Sequence, residues 1–193
     1  MKGQRTGKDF SKYVLKVTKN KHVIIHELTK PPYTKQERIC FINVDECLVV
    51  TGDYSNWIFD RNFTPSANIT EEISNHYWCE KVKLSSTQDP YKYDPEETVK
   101  EIQERINELK REDDNYEKEE HIQEIEWLEE CMTYADESTD MRYLCFAHDN
   151  KPSHIDHESV IYCKKIHPQL LVVFDAFEII CKMLANKNFT END

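Results

Sequence analysis

Beyond residue 7 the 193-residue chain holds one glycine, Gly52. The stretch around it, 46–61, reads ECLVVTGDYSNWIFDR. Glycine takes positive φ without a Cβ penalty, and Gly-Asp between two β-branched or aromatic runs marks a hairpin. Val49, Val50, Thr51, Trp57, Ile58 and Phe59 suit a pleated, half-buried surface. The stretch therefore predicts a β-hairpin whose apolar side chains seed a sheet.

The flanking segments extend that sheet. HVIIHEL (22–28) reads as a first strand, ended by Pro31 and Pro32, because proline removes a ladder donor and restricts the residue before it. ERICFINV (37–44) is apolar on both of its alternating sides, which predicts a central strand covered on two faces. Residues 1–20 are lysine-rich and are expected to form a mobile or loosely docked basic arm. Past Phe63, Asn68 or Thr70 is a candidate cap for a short helix into 71–73, and HYWCEKVKL (76–84) alternates as a further strand would.

The second half is helical. Asp94 at the cap, Pro95 at the first helical position and Glu96 and Glu97 behind it open a helix carrying Val99, Ile102, Ile106 and Leu109 on one face. A second helix is expected over 117–134 with Ile122, Ile125, Leu128 and Met132 as its stripe, joined to the first by a turn at Asp113, Asp114 and Asn115. Residues 141–147 and 160–163 are short apolar runs of undefined type. A last helix over 168–184 is apolar nearly all round, with Leu170, Phe174, Phe177, Cys181 and Leu184 on one face, and so belongs against the sheet. The fold class is α+β: an antiparallel sheet of about four to five strands, a buried C-terminal helix and an acidic helical hairpin. It is expected as one domain, 1–193, with the arm at 1–20 and the hairpin at 94–135. Trp57, Phe59 and the Phe174 face are expected to share one core.

Charge is unevenly placed. The chain carries −12 overall, yet residues 94–140 hold nineteen acids against five bases, and residues 1–35 hold nine bases against two acids. An acidic field repels phosphate backbones and attracts basic surfaces. Seven cysteines without a CxxC pair, mostly in apolar runs, fit a reducing compartment better than a disulfide framework. The apolar runs are too short for a signal peptide or a membrane span. A cytoplasmic protein without membrane association is the expectation.

GDYSNWIFDRNF, followed by NHYWCEKV and then by the apolar C-terminal helix, resembles a family of small uncharacterised proteins of tailed phages and prophages. The shared pattern is a strand, Gly-Asp, an aromatic strand ending in Arg, Tyr-Trp-x-x-Lys and an aromatic-rich last helix, over 22–84 and 168–185. The resemblance brings no chemistry. It implies a setting: accessory phage cargo in the host cytoplasm, where many small proteins block host defences, anti-CRISPR proteins among them.

Candidate sites follow from both lines. The exposed acids of the hairpin, Glu101, Glu104, Glu108, Asp113, Asp114, Glu119 and Glu120, are candidates for binding a host protein such as a nucleic-acid-targeting defence effector. An alternative site is Asp53, Asp60, Arg61, His76 and Glu80, which would supply acid, base and phosphate clamp to an enzyme of nucleotides or nucleic acid. His154, His157 and Cys163, with His148, Asp149 and Asp156 nearby, are weak metal candidates. No metal is expected, since Pro152 interrupts that segment and no paired cysteines stand at ligand spacing, and no other cofactor, since the chain has neither GxGxxG nor a P-loop. Direct nucleic-acid binding is not expected either, except as an alternative that uses the basic arm.

Overall fold

The computed structural model describes residues 5–32, 37–54, 56–68, 73–85, 89–111, 119–137 and 139–192, the side chains of 137 and 192 excepted. The chain packs as two compact units. The first comprises Met1–Tyr91 and Ile166–Asp193, the second Lys92–Lys165.

The first unit is a seven-stranded mixed sheet with one long helix. Its strands are β1 (Val14–Asn20), β2 (Val23–Thr29), β3 (Arg38–Val44), β4 (Cys47–Gly52), β5 (Trp57–Phe59), β6 (Val82–Ser85) and, at the far end of the chain, β9 (Thr190–Asn192). The order across the sheet is β6-β5-β4-β3-β2-β1-β9, antiparallel throughout except that β9 runs parallel to β1. The sheet thus exceeds the four or five strands expected, and it is not wholly antiparallel. Two of the added strands come from segments that the sequence left without one. Val14–Asn20 lies in the expected basic arm, yet Leu15 and Val17 are buried and Lys16 points out, the period-2 pattern of a half-buried strand. Thr190–Asn192 closes the β1 edge, where the Lys19 Nζ meets the Glu191 Oε1 at 2.5 Å.

Residues 76–84, expected as one strand, divide into α1 (Asn75–Glu80) and β6. The Ser74 side chain accepts from the backbone N–H of Tyr77 and starts the helix. A six-residue helix is too short to display a 3.6-residue period, so the sequence alternation was ambiguous there. α5 (Pro168–Ala185) matches the expected last helix, with the His167 Nδ1 accepting from the Gln169 N–H at its N-terminus and Pro168 in the first turn. It covers the sheet face that carries Leu15, Leu28, Ile39, Phe41, Leu48, Trp57 and Phe59, all buried with Phe174 and Phe177. Trp78 of α1 is at the centre of this core, its ring 4.0 Å from Phe63, 5.0 Å from Phe59 and Phe177, and 5.3 Å from Phe174.

The second unit is helical. α2 (Pro95–Arg111) and α3 (Glu119–Glu137) form the expected hairpin, and α4 (Asp140–Asp149) follows where the sequence left the element type open. The buried stripe of α3 is Glu124, Trp127, Leu128, Cys131 and Ala135, whereas Ile122, expected inside, is 54% exposed. The buried Glu124 is paired at the seam with the half-exposed Arg105 of α2 at 3.0 Å. β7 (Tyr91–Tyr93) and β8 (Lys164–Ile166) pair with each other where the chain enters and leaves this unit.

Candidate functional site

The acidic candidates occupy the hairpin. On α2 the residues Thr98, Ile102, Ile106 and Leu109 turn inward, so the helical period sends Glu101, Glu104 and Glu108 to the opposite, exposed face. At 1.5 Å per residue, these carboxylates rise by roughly 4.5 and 6 Å along the axis. Glu108 approaches Arg105 at 3.7 Å. Glu101 and Glu104 make no ion pair among the described residues. Glu119 and Glu120 are exposed in the first turn of α3, where carboxylates oppose the positive end of the helix dipole. Asp113 and Asp114 lie outside the described residues.

The alternative site is divided between two ends of the sheet. β4 and β5 pair with Leu48 opposite Phe59 and Val50 opposite Trp57, which sends Asp53 to the turn and Asp60 to the other end of the ladder. Asp53 closes the β3–β4 edge: its Oδ2 accepts from the Arg38 N–H at 2.6 Å, and its own N–H donates to the Arg38 carbonyl at 3.0 Å. At the opposite end Asp60 pairs with Lys83, and its N–H donates to the Lys81 carbonyl. Arg61 sits over the Tyr77 ring at 5.6 Å, and a shallow recess of about 370 Å³ is lined by Asp45, Glu46, Asp60, Arg61 and Asn62. His76 and Glu80, on α1, pair with each other at 3.3 Å, and the His76 Nδ1 lies 3.1 Å from the Tyr91 hydroxyl. Asp60 and Arg61 thus line one recess, His76 and Glu80 pair on α1, and Asp53 stands at the opposite end of the ladder from Asp60.

The metal candidates are not gathered. His154 is exposed, His157 sits in a single 3-10 turn, and Cys163 is held by its backbone, whose N–H donates to Thr98 Oγ1 at 3.1 Å and whose carbonyl accepts from the Asp94 N–H at 3.0 Å. Burial pushes the Cys163 thiol up. Two members of the candidate region do meet: the Nδ1 atoms of His148 and His157 are 3.1 Å apart. Among the described residues no group of three or more His, Cys, Asp or Glu is placed to hold a metal ion, and no helix is long and apolar enough to cross a membrane.

Of the bases of the N-terminal segment, Arg5, Lys8, Lys19 and Lys30 are paired within the first unit. The Arg5 Nη2 meets Glu178 at 2.8 Å and its Nε meets Asp175 at 3.4 Å, while the Thr6 N–H and hydroxyl both donate to the Asp175 Oδ2. Lys30 pairs with Glu37 at 2.7 Å. Each such pair reduces the positive charge available to a nucleic acid.

No protein-family model matches this chain, and no curated protein or solved structure shows a significant similarity to it.

Proposed function

We propose that this chain is a non-enzymatic accessory protein that docks the acidic face of its helical hairpin onto a basic, nucleic-acid-binding surface of a host protein. The setting that the phage-type sequence pattern implies makes an anti-defence inhibitor of a nucleic-acid-targeting nuclease, of the anti-CRISPR kind, the specific form of this reading. The observation that carries it is the row Glu101, Glu104 and Glu108, exposed on α2 opposite its buried seam. In such a complex each carboxylate stands in for a backbone phosphate, and the attraction is screened by salt as phosphate contacts are.

The test is capture from a bacterial lysate with the parent and with the triple variant Glu101→Lys, Glu104→Lys, Glu108→Lys as baits. Proteins retained by the parent at low salt, released at high salt and not retained by the variant support the reading. A partner bound equally by both baits at every salt concentration refutes it.

A further inference from the structure

We propose that the sheet face opposite α5 is the interface of a homodimer, in which two copies pack sheet against sheet. The strand register places one aliphatic residue per strand in a continuous row. Ile25 pairs with Ile42, Ile42 with Val49, Val49 with Ile58, and Ile58 with Leu84. A second row beside it joins Val23, Val44 and Cys47. These side chains point away from α5, because their strand neighbours Ile24, Phe41, Leu48 and Phe59 are the ones that belong to its core. Ile25, Ile42, Val49 and Ile58 are partly exposed and Leu84 is 61% exposed. None of them packs against the buried cluster of this unit.

An antiparallel sheet with one covered face ordinarily places polar residues on the other. Here those positions hold branched aliphatics, the composition of a strand covered on both sides, and contiguous apolar surface of this kind marks an interaction site. Three features point to a second copy as the cover. Six strands at about 4.8 Å spacing and some six residues of length give a face on the order of 500 Å². Two such faces reach the roughly 1,000 Å² that a specific interface needs. A two-fold axis between Ile42 and Val49 sets those two against each other, Ile25 against Ile58, and the terminal Leu84 against Thr18, the β1 partner of Ile25. The charge is small as well: on β1 to β3 the face carries Lys16, Glu27 and Arg38, and Arg38 meets Glu27 at 2.6 Å. The −12 of the whole chain is therefore not concentrated where the copies would meet. Flat rows of β-branched residues pack sheet on sheet at about 10 Å separation.

Sedimentation equilibrium of the full chain over roughly 1 to 100 μM tests the proposal against a Val49→Lys variant at the centre of the face. The parent is expected to reach twice the 23.1 kDa chain mass, with the dimer dissociation constant raised at least tenfold in the folded variant. Should Val49→Lys not fold, thiol labelling of the parent serves. Cys47, on this face, should be protected at the high end of the range and reactive at the low end, while the exposed Cys145 reacts equally at both. A parent that stays monomeric, a folded variant that dimerises as tightly as the parent, or Cys47 labelling that does not change with concentration would each overturn it. Constant protection in a monomer would assign the face to another part of the same chain.

Discussion

Arg105 of α2 donates from both Nε and Nη2 to a single oxygen of Glu124 on α3, at 3.1 and 3.0 Å. The Glu124 side chain is 12% exposed and that of Arg105 40%. The pair puts a carboxylate in the hairpin seam, and half a pair would leave it there without a partner. Arg105→Ala should therefore destabilise the second unit by roughly 2 kcal/mol, allowing for the exposed half of the guanidinium. Arg105→Met with Glu124→Leu should recover most of that loss, because an apolar pair of similar volume needs no compensation. Chemical denaturation of the parent and both variants checks this; an Arg105→Ala variant as stable as the parent would show that the pair contributes nothing, and a double variant no more stable than Arg105→Ala would show that the apolar pair does not replace it.

The core of the first unit makes a second prediction. Trp78 lies 5.3 Å from Phe174 and 5.0 Å from Phe59, and all three are fully buried. Phe174→Ala removes a ring from a packed cluster and should cost about 3 to 5 kcal/mol. Urea unfolding followed by tryptophan fluorescence would report it directly. A cost below about 1 kcal/mol would mean that α5 contributes little to this core.

That core was the most legible part of the chain, since long apolar runs such as 168–184 and the Gly52 hairpin admit few alternatives. The expected hairpin of α2 and α3 was legible from its cap, its Pro95 and its 3-4-3 spacing. What escaped had physical reasons. Lys16 and Lys19 hid the inward alternation of Leu15 and Val17. α1 was shorter than two helical turns. Ile122 looked like a seam residue and Glu124 a surface one, because the Arg105 partner that buries Glu124 lies nineteen positions away. The acidic face of α2 follows from its seam, so Glu101, Glu104 and Glu108 were readable as exposed. The separation of Asp53 from Asp60 was not, because it depends on the β4–β5 register.

His26 provides a pH signature. Its side chain is buried, its Nδ1 has no hydrogen-bond partner among the described residues, and burial, aided by nearby Lys19, pushes its pKa from 6.5 down to about 4. The folded protein thus holds this imidazole neutral, whereas the unfolded chain binds a proton below about pH 6.5. The stability it permits is fully present above 6.5 and is lost as pH falls from 6.5 toward 4. Between pH 7 and pH 5 the loss attributable to His26 should be about 2 kcal/mol. Urea unfolding of the parent and of His26→Leu at both pH values isolates it. The variant should be less sensitive to acid by about that amount, and identical pH slopes would assign the acid sensitivity elsewhere.

The last prediction concerns Gly52, whose backbone sits at φ +136°. A Cβ built there would lie 2.1 Å from the Arg38 carbonyl oxygen and 2.9 Å from its carbon, both backbone atoms of the neighbouring strand. Neither the dihedral nor the space accepts a side chain, so Gly52→Ala must move β3 away from β4. The same strand end is where Asp53 accepts from the Arg38 N–H and donates back to its carbonyl. A shift of Arg38 therefore breaks those bonds as well. The expected cost of Gly52→Ala is at least about 2 kcal/mol, more than the strain of the dihedral alone. Asp53→Ala, which removes only the carboxylate, should cost roughly 1 kcal/mol. Thermal and urea unfolding of both variants checks the order. If Asp53→Ala proved the more damaging, the carboxylate and not the glycine would be holding the β3–β4 edge. If Asp53→Ala left stability unchanged, its bond to Arg38 would be dispensable to the fold.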